Sequence, residues 1–148
     1  MKKVALQLEH SVEADVSPTF AWKFRTDVAN WNDPPAKFAL DGPFAVGSRG
    51  TTWLPGQDPI HWHIPEVRPE ESFVIEMELD QATIAFEWRF EALSEHSTKL
   101  THRLVLSGDN AMKYAEQVEA GFGSNLPNGL ERIAAEMEAA ARQEGAAG

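Results

Sequence analysis

Two histidines at alternating positions are the first candidates for chemistry in this chain. His10 falls in the series Val4, Leu6, Leu8, His10, Val12, Ala14, Val16, whose members alternate with Gln7, Glu9, Ser11, Glu13 and Asp15. His102 falls in the series Leu100, His102, Leu104, Leu106. A period of two marks half-buried strands, so both imidazoles are predicted on apolar faces. Burial there lowers the imidazole pKa, and the neutral ring serves as a general base near neutral pH or donates a hydrogen bond to a ligand carbonyl. His10 and His102 are the catalytic candidates if the chain is an enzyme. The same placement suits two core histidines bonded to neighbouring hydroxyl or backbone groups, the commoner situation for buried polar side chains.

Other residues compete for a role. In His61-Trp62-His63 two histidines share one strand face with Glu66 nearby, a pattern that invites a metal. Ile60, Trp62 and Ile64 make the opposite face the apolar one, so the histidines are expected in solvent and no metal or other cofactor is predicted. The chain has five tryptophans, and Trp31, Trp62 and Trp88 fall at inward positions, where indole offers flat apolar area plus one donor. Such rings suit a flat ligand and an ordinary core alike. Trp22 is read as packing for a first short helix. Met77 and Phe86 share the inward faces of their strands and join the ligand-binding candidates, as do Met112, Tyr114 and Phe122 on a later helical stretch. Arg49 is predicted in a loop, and Glu87 with Arg89 on the outer sheet face as surface partners.

The elements that must position these residues follow from spacing and punctuation. After the first strand, Ser17-Pro18 supplies a helix cap and a first-turn proline, with Phe20 and Phe24 one turn apart. Asp27 caps a second short helix carrying Val28 and Trp31, which Asp33-Pro34-Pro35 ends. From Lys37 to Leu106 strands alternate with the turn signals Asp41-Gly42-Pro43, Gly47-Ser48-Arg49-Gly50, Pro55-Gly56 and Pro69-Glu70-Glu71. Phe73, Ile75, Met77 and Leu79 line one face, and Ile84, Phe86, Trp88 and Phe90 line the next. A helical stripe of Ala115, Val118, Phe122, Leu126, Leu130, Ile133, Met137 and Ala140 keeps phase across Gly121, Gly123, Pro127 and Gly129, which predicts one long helix kinked at its middle. Its half from Leu130 to Ala140 is read as core packing, and its half from Met112 to Phe122 as the ligand side.

Composition bounds the rest. At 148 residues with 43% hydrophobic and 24% charged side chains, the chain is expected to form one domain, 1–148, with 143–148 as a frayed tail. The start through His10 is too polar for a secretory signal, and no stretch suffices for a membrane span, so a soluble cytoplasmic protein is expected. Zero cysteines exclude disulfides and thiolate chemistry. A net charge of -10 repels phosphate backbones, which argues against nucleic acid as a partner. No signal points to a particular oligomeric state.

Together these elements predict an α+β fold, a curved antiparallel sheet of about seven strands around a long C-terminal helix, with two short helices after the first strand and an internal cavity. Nearly end to end, the chain resembles the SRPBCC or START-like helix-grip superfamily, which includes lipid-transfer domains, birch-pollen-type allergens and polyketide cyclases. Ala14-Asp15-Val16-Ser17-Pro18 through Trp22, Asp27-Val28 through Trp31, Leu40-Asp41-Gly42-Pro43-Phe44 through Gly47, Glu66-Val67-Arg68-Pro69, and Trp88-Arg89-Phe90-Glu91 followed by Thr98-Lys99-Leu100-Thr101-His102 carry the resemblance. It implies a hydrophobic cavity and a small hydrophobic or aromatic partner, with some members catalytic and some carriers. Three functions follow as expectations: a carrier or sensor of a small hydrophobic ligand, a cyclase, aromatase or dehydratase using a cavity histidine, and a protein interaction module.

Overall fold

The computed structural model describes residues 4–31, 35–123 and 125–147, with side chains through Glu144. Strand β1 (Val4–Ala14) leads into α1 (Pro18–Arg25), where the Ser17 hydroxyl accepts a hydrogen bond from the Phe20 amide at 3.1 Å and Pro18 occupies the first turn. A 3-10 turn, Val28–Asn30, follows, capped by the Asp27 carboxylate accepting from the Ala29 amide at 3.0 Å. The first predicted short helix is present, and the second is a single 3-10 turn that carries Val28 and ends before Trp31. The stop assigned to Asp33 and Pro34 lies outside the described residues.

Strands β2 (Lys37–Asp41), β3 (Arg49–Trp53), β4 (Ile60–Arg68), β5 (Ser72–Leu79), β6 (Ala82–Ser94) and β7 (Ser97–Ser107) complete a seven-stranded antiparallel sheet in the order β1-β7-β6-β5-β4-β3-β2. β1 pairs antiparallel with β7, which places the first strand beside the last. The predicted inward faces are the buried ones: Phe73, Ile75, Ile84, Trp88, Phe90, Leu100 and Leu104 all lie in the core. The outer face carries the ion pairs Arg103–Glu9 at 2.8 Å and Arg89–Glu87 at 3.2 Å, so Glu87 and Arg89 are surface partners as expected.

The helical region departs from the single kinked helix. A 3-10 turn (Ala111–Lys113), a short α2 (Ala115–Val118) and a π-helical turn (Glu119–Gly123) precede α3 (Leu126–Ala147). Pro127 sits in the first turn of α3, where its missing N–H costs nothing, and the Asn125 carbonyl accepts from the Gly129 amide at 2.9 Å. Proline starts the helix here instead of bending it. α3 continues past Gln143, where the tail was expected to begin, and Gly148 lies outside the described residues.

The buried face holds two apolar clusters. One gathers Ala14, Val16, Phe73, Phe90 and Leu100 beneath α1 and α3, with Met137 contributed by α3 and Trp22 edge-on to Phe73 at 6.0 Å and to Phe90 at 5.3 Å. The other gathers Ala82, Ile84, Leu104, Leu106, Ala111 and Val118 beneath α2. Phe86 packs against both clusters.

Gly50, predicted in a turn, is a strand residue opposite Trp62 in the β3–β4 register. A Cβ at Gly50 would overlap the Trp62 ring, so the glycine lets the indole cross the neighbouring strand. Trp62 is 6% exposed and its Nε1 donates to Thr52 Oγ1 at 3.0 Å, which leaves the ring little room to retreat. Gly50→Ala is therefore expected to cost about 1–3 kcal/mol, the range for overpacking a core. Chemical denaturation measures this, and an unchanged midpoint contradicts the assigned contact.

Candidate binding cavity

Between the sheet and α3 lies a cavity of about 380 Å³. Its wall is mostly apolar and aromatic: Phe24, Trp31, Phe38, Trp62, Ile75, Met77, Phe86, Trp88, Phe122, Leu126, Leu130 and Ile133. Polar groups are few, namely Arg25, Asn30, Thr52, His102, Asn125 and Glu136.

Each wall residue has a local cause. Trp31 follows the 3-10 turn, and its Nε1 donates to the Arg25 carbonyl at 2.8 Å, folding the indole back over the end of α1. Trp31 then stacks on Trp62 with ring centres 5.6 Å apart. Arg25 ends α1, a position that favours a cation. Its guanidinium carbon lies 4.3 Å from the Trp88 ring centre and 4.7 Å from that of Trp31, two cation–π contacts. His102 stacks on Trp88 at 4.6 Å and lies 6.1 Å from Phe86. Its Nε2 is shut off from solvent with no hydrogen-bond partner among the described residues.

Burial, and after it the positive charge of Arg25, lowers the His102 pKa from 6.5 to about 3. The imidazole is neutral at physiological pH and a weak proton acceptor.

Of the residues predicted to bind a ligand, Trp31, Trp62, Met77, Phe86, Trp88, His102 and Phe122 line the cavity together. His10, Met112 and Tyr114 do not. His10 is directly opposite His102 in the β1–β7 register, but β1 is the sheet edge against α3 and the cavity wall ends at β7. Met112 is 74% exposed because the segment around it is a 3-10 turn, whose tighter period buries Ala111 and turns Met112 outward. Tyr114 packs on the cluster beneath α2. The division of the helix also changes: Leu130 and Ile133, read as plain packing, face the cavity, while Met137 fills the core.

His61 and His63 point outward, His61 Nδ1 3.3 Å from Thr51 Oγ1 and His63 Nε2 3.3 Å from Glu76, while Trp62 is buried between them. Arg49 is exposed at the start of β3. No cluster of potential metal ligands occurs among the described residues. No helix among them is long and apolar enough to cross a membrane.

The most important residue that the sequence did not reveal is Arg25. A basic residue in the last turn of a helix is ordinary, and nothing in its spacing distinguishes it from a solvated surface cation.

A sheet gripping a helix around an aromatic cavity has relatives. Residues 5–138 match the family described as polyketide cyclase / dehydrase and lipid transport. The chain belongs to that family. Its fold is the helix-grip fold, shared with norcoclaurine synthase of Thalictrum flavum, solved with a transition-state analogue: 11% identity over 96% of this chain and 98% of that one, TM-score 0.73. The Zhui aromatase/cyclase of Streptomyces is 18% identical over 90% of this chain and 93% of its own, TM-score 0.69. A protein of Arthrobacter aurescens is 17% identical over 90% of this chain and 86% of its own, TM-score 0.70. At these identities the likeness is one of fold. The search of curated proteins finds no match.

The low pKa of His102 carries a stability consequence. The unfolded chain protonates this histidine near its ordinary 6.5, whereas the folded chain keeps it neutral to about 3. Between those values the unfolded state binds the extra proton, so this contribution to stability is complete above 6.5 and is lost as pH falls toward 3. His102→Phe has nothing to protonate. Relative to wild type its unfolding free energy is expected to rise by about 1.4 kcal/mol per pH unit on acidification through this window. Parallel pH profiles of the two proteins would contradict the burial assigned to His102.

Proposed function

We propose that this chain binds a small hydrophobic or aromatic molecule in the cavity between α3 and the sheet, acting as a carrier or sensor. The observation that carries this reading is the cavity, about 380 Å³ with three tryptophans in a mainly apolar wall. Ligand sites of this kind are concave and apolar with a few polar groups that orient the guest. Dopamine and hydroxybenzaldehyde occupy another structure of norcoclaurine synthase, 12% identical over 92% of this chain, with a TM-score of 0.69, which supports an aromatic guest here.

A second reading is catalysis of the cyclase or dehydratase kind, favoured by the family and by the aromatase/cyclase neighbour. It requires His102 to move a proton. With a pKa of about 3 that imidazole is a poor base at neutral pH, which weighs toward binding.

Gly129 offers a test that separates binding from folding. It lines the cavity from α3, and a Cβ built there meets nothing within 4 Å. Gly129→Leu is expected to fill cavity space while relieving the helix of a glycine, which costs about 1 kcal/mol relative to alanine. Titration with the uncharged fluorophore phenylnaphthylamine should show saturable binding to wild type. Affinity should drop about tenfold or more in Gly129→Leu, together with a raised melting temperature. His102→Phe should retain the affinity. Equal binding by wild type and Gly129→Leu would exclude the cavity as the site. Turnover of a poly-carbonyl compound that vanishes in His102→Phe would move the conclusion to catalysis.

A further inference from the structure

We propose that β2 is a pairing edge for a second copy of this chain: two copies join antiparallel along it, with Ala39 on the two-fold axis. The pairing does not depend on what the cavity holds.

The two edges of the sheet differ. β1 lies against α3, whereas β2 is paired with β3 alone, and its other side meets no strand among the described residues. Trp31 packs on Phe38 at 5.4 Å from the cavity side, which covers a face of the strand and not its edge. A row of unpaired backbone N–H and C=O groups is a template for a further strand.

Side chains decide which strand fits. Lys37, Ala39 and Asp41 are exposed, and Phe38 and Leu40 are half-buried. β2 thus carries a cation at its start, an anion at its end and a small residue at its centre. Turned antiparallel on itself about Ala39, it sets Lys37 opposite the partner's Asp41 and Phe38 opposite the partner's Leu40, each pair occurring twice. Neither Lys37 nor Asp41 has an ion-pair partner among the described residues. In the β2–β3 register Lys37 lies beside Trp53 and Asp41 beside Arg49. Across the joined sheet the outer face then reads Trp53, Lys37, the partner's Asp41 and the partner's Arg49, with charges of alternating sign. A slip of one residue would set exposed side chains against half-buried ones, and a slip of two would lose both ion pairs. An edge lysine ordinarily discourages pairing, but here the chain's own β2 supplies its counter-charge.

Prolines bound the paired segment. Pro35 and Pro43 lie four residues to either side of Ala39, and without an N–H neither extends the ladder. With β1 against α3, each copy offers one free edge among the described residues, so the isologous pair closes and does not grow into a filament. Five residues a side make a small interface, and exposed ion pairs fix its register more than they add affinity. The expected dimer is therefore weak, with a Kd of about 10 μM to 1 mM.

Sedimentation velocity of the full chain in about 0.15 M salt, from about 5 μM to about 1 mM, measures this equilibrium. Wild type is expected to pass from monomer toward dimer over that range. Lys37→Glu and Asp41→Lys each set like charges opposite one another at two places, and each should weaken the dimer about tenfold. The two substitutions move the net charge in opposite directions, so weakening by both is not general repulsion between acidic chains. Combined, they restore opposite charges, leave the net charge at -10, and should return the Kd to within about threefold of wild type. Both side chains are exposed, so all three variants should keep the wild-type melting temperature at low concentration. A wild type still monomeric at about 1 mM would overturn the second copy as the occupant of this edge. A dimer that both single variants leave intact, or that the double variant fails to restore, would overturn the pairing about Ala39.

Discussion

A seven-stranded sheet with one apolar face must have that face covered, and here the available helices are too few to cover it everywhere. α3 lies against β1, β7 and α1 and closes one end over Phe73 and Phe90, with Met137 on its buried face. α2 closes the other end over Ile84, Leu104 and Leu106. The strip between them, marked by Met77, Phe86, Trp88 and His102, faces space. Curling brings Thr52 of β3 and Ile60 and Trp62 of β4 around into the wall of that space. The cavity is thus the remainder of a packing problem, and each residue in its wall reflects how the remainder was shaped.

The electrostatics of the cavity follow from that geometry. Arg25 reaches the wall because the Ser17 cap and Pro18 fix where α1 begins, and α1 is just long enough to end beside Trp88. Trp88 contacts a permanent cation and a histidine held neutral, and the two polar groups share one aromatic neighbour. The arrangement places a formal positive charge beside an imidazole that is neutral at neutral pH.

Much of this was legible in the residues and some was not. Strand faces were readable because alternation is a local signal, and the β5, β6 and β7 series all bury the side predicted. The caps at Ser17 and Asp27 are local too, and both form. Gly50 was misread because Gly47-Ser48-Arg49-Gly50 resembles a turn, while its real constraint is an indole from a strand further along the chain. Phase across Gly121 to Gly129 suggested one helix, yet phase cannot distinguish an α-helix from a 3-10 or π turn with the same inward residues. Met112 was misplaced for that reason. Arg25 was invisible because its meaning lies in Trp31 and Trp88, which approach it only in three dimensions.

The π-helical turn Glu119–Gly123 carries an evolutionary consequence. A π turn holds one more residue than an α turn, and here it holds Phe122 with its ring 5.5 Å from Phe86 at the cavity wall. Losing or gaining one residue there would rotate the ring by about 100° around the helix axis, away from the wall, while α3 has its own start at Leu126 and Pro127. Single-residue insertions and deletions at this turn can therefore remodel the cavity without disturbing the core.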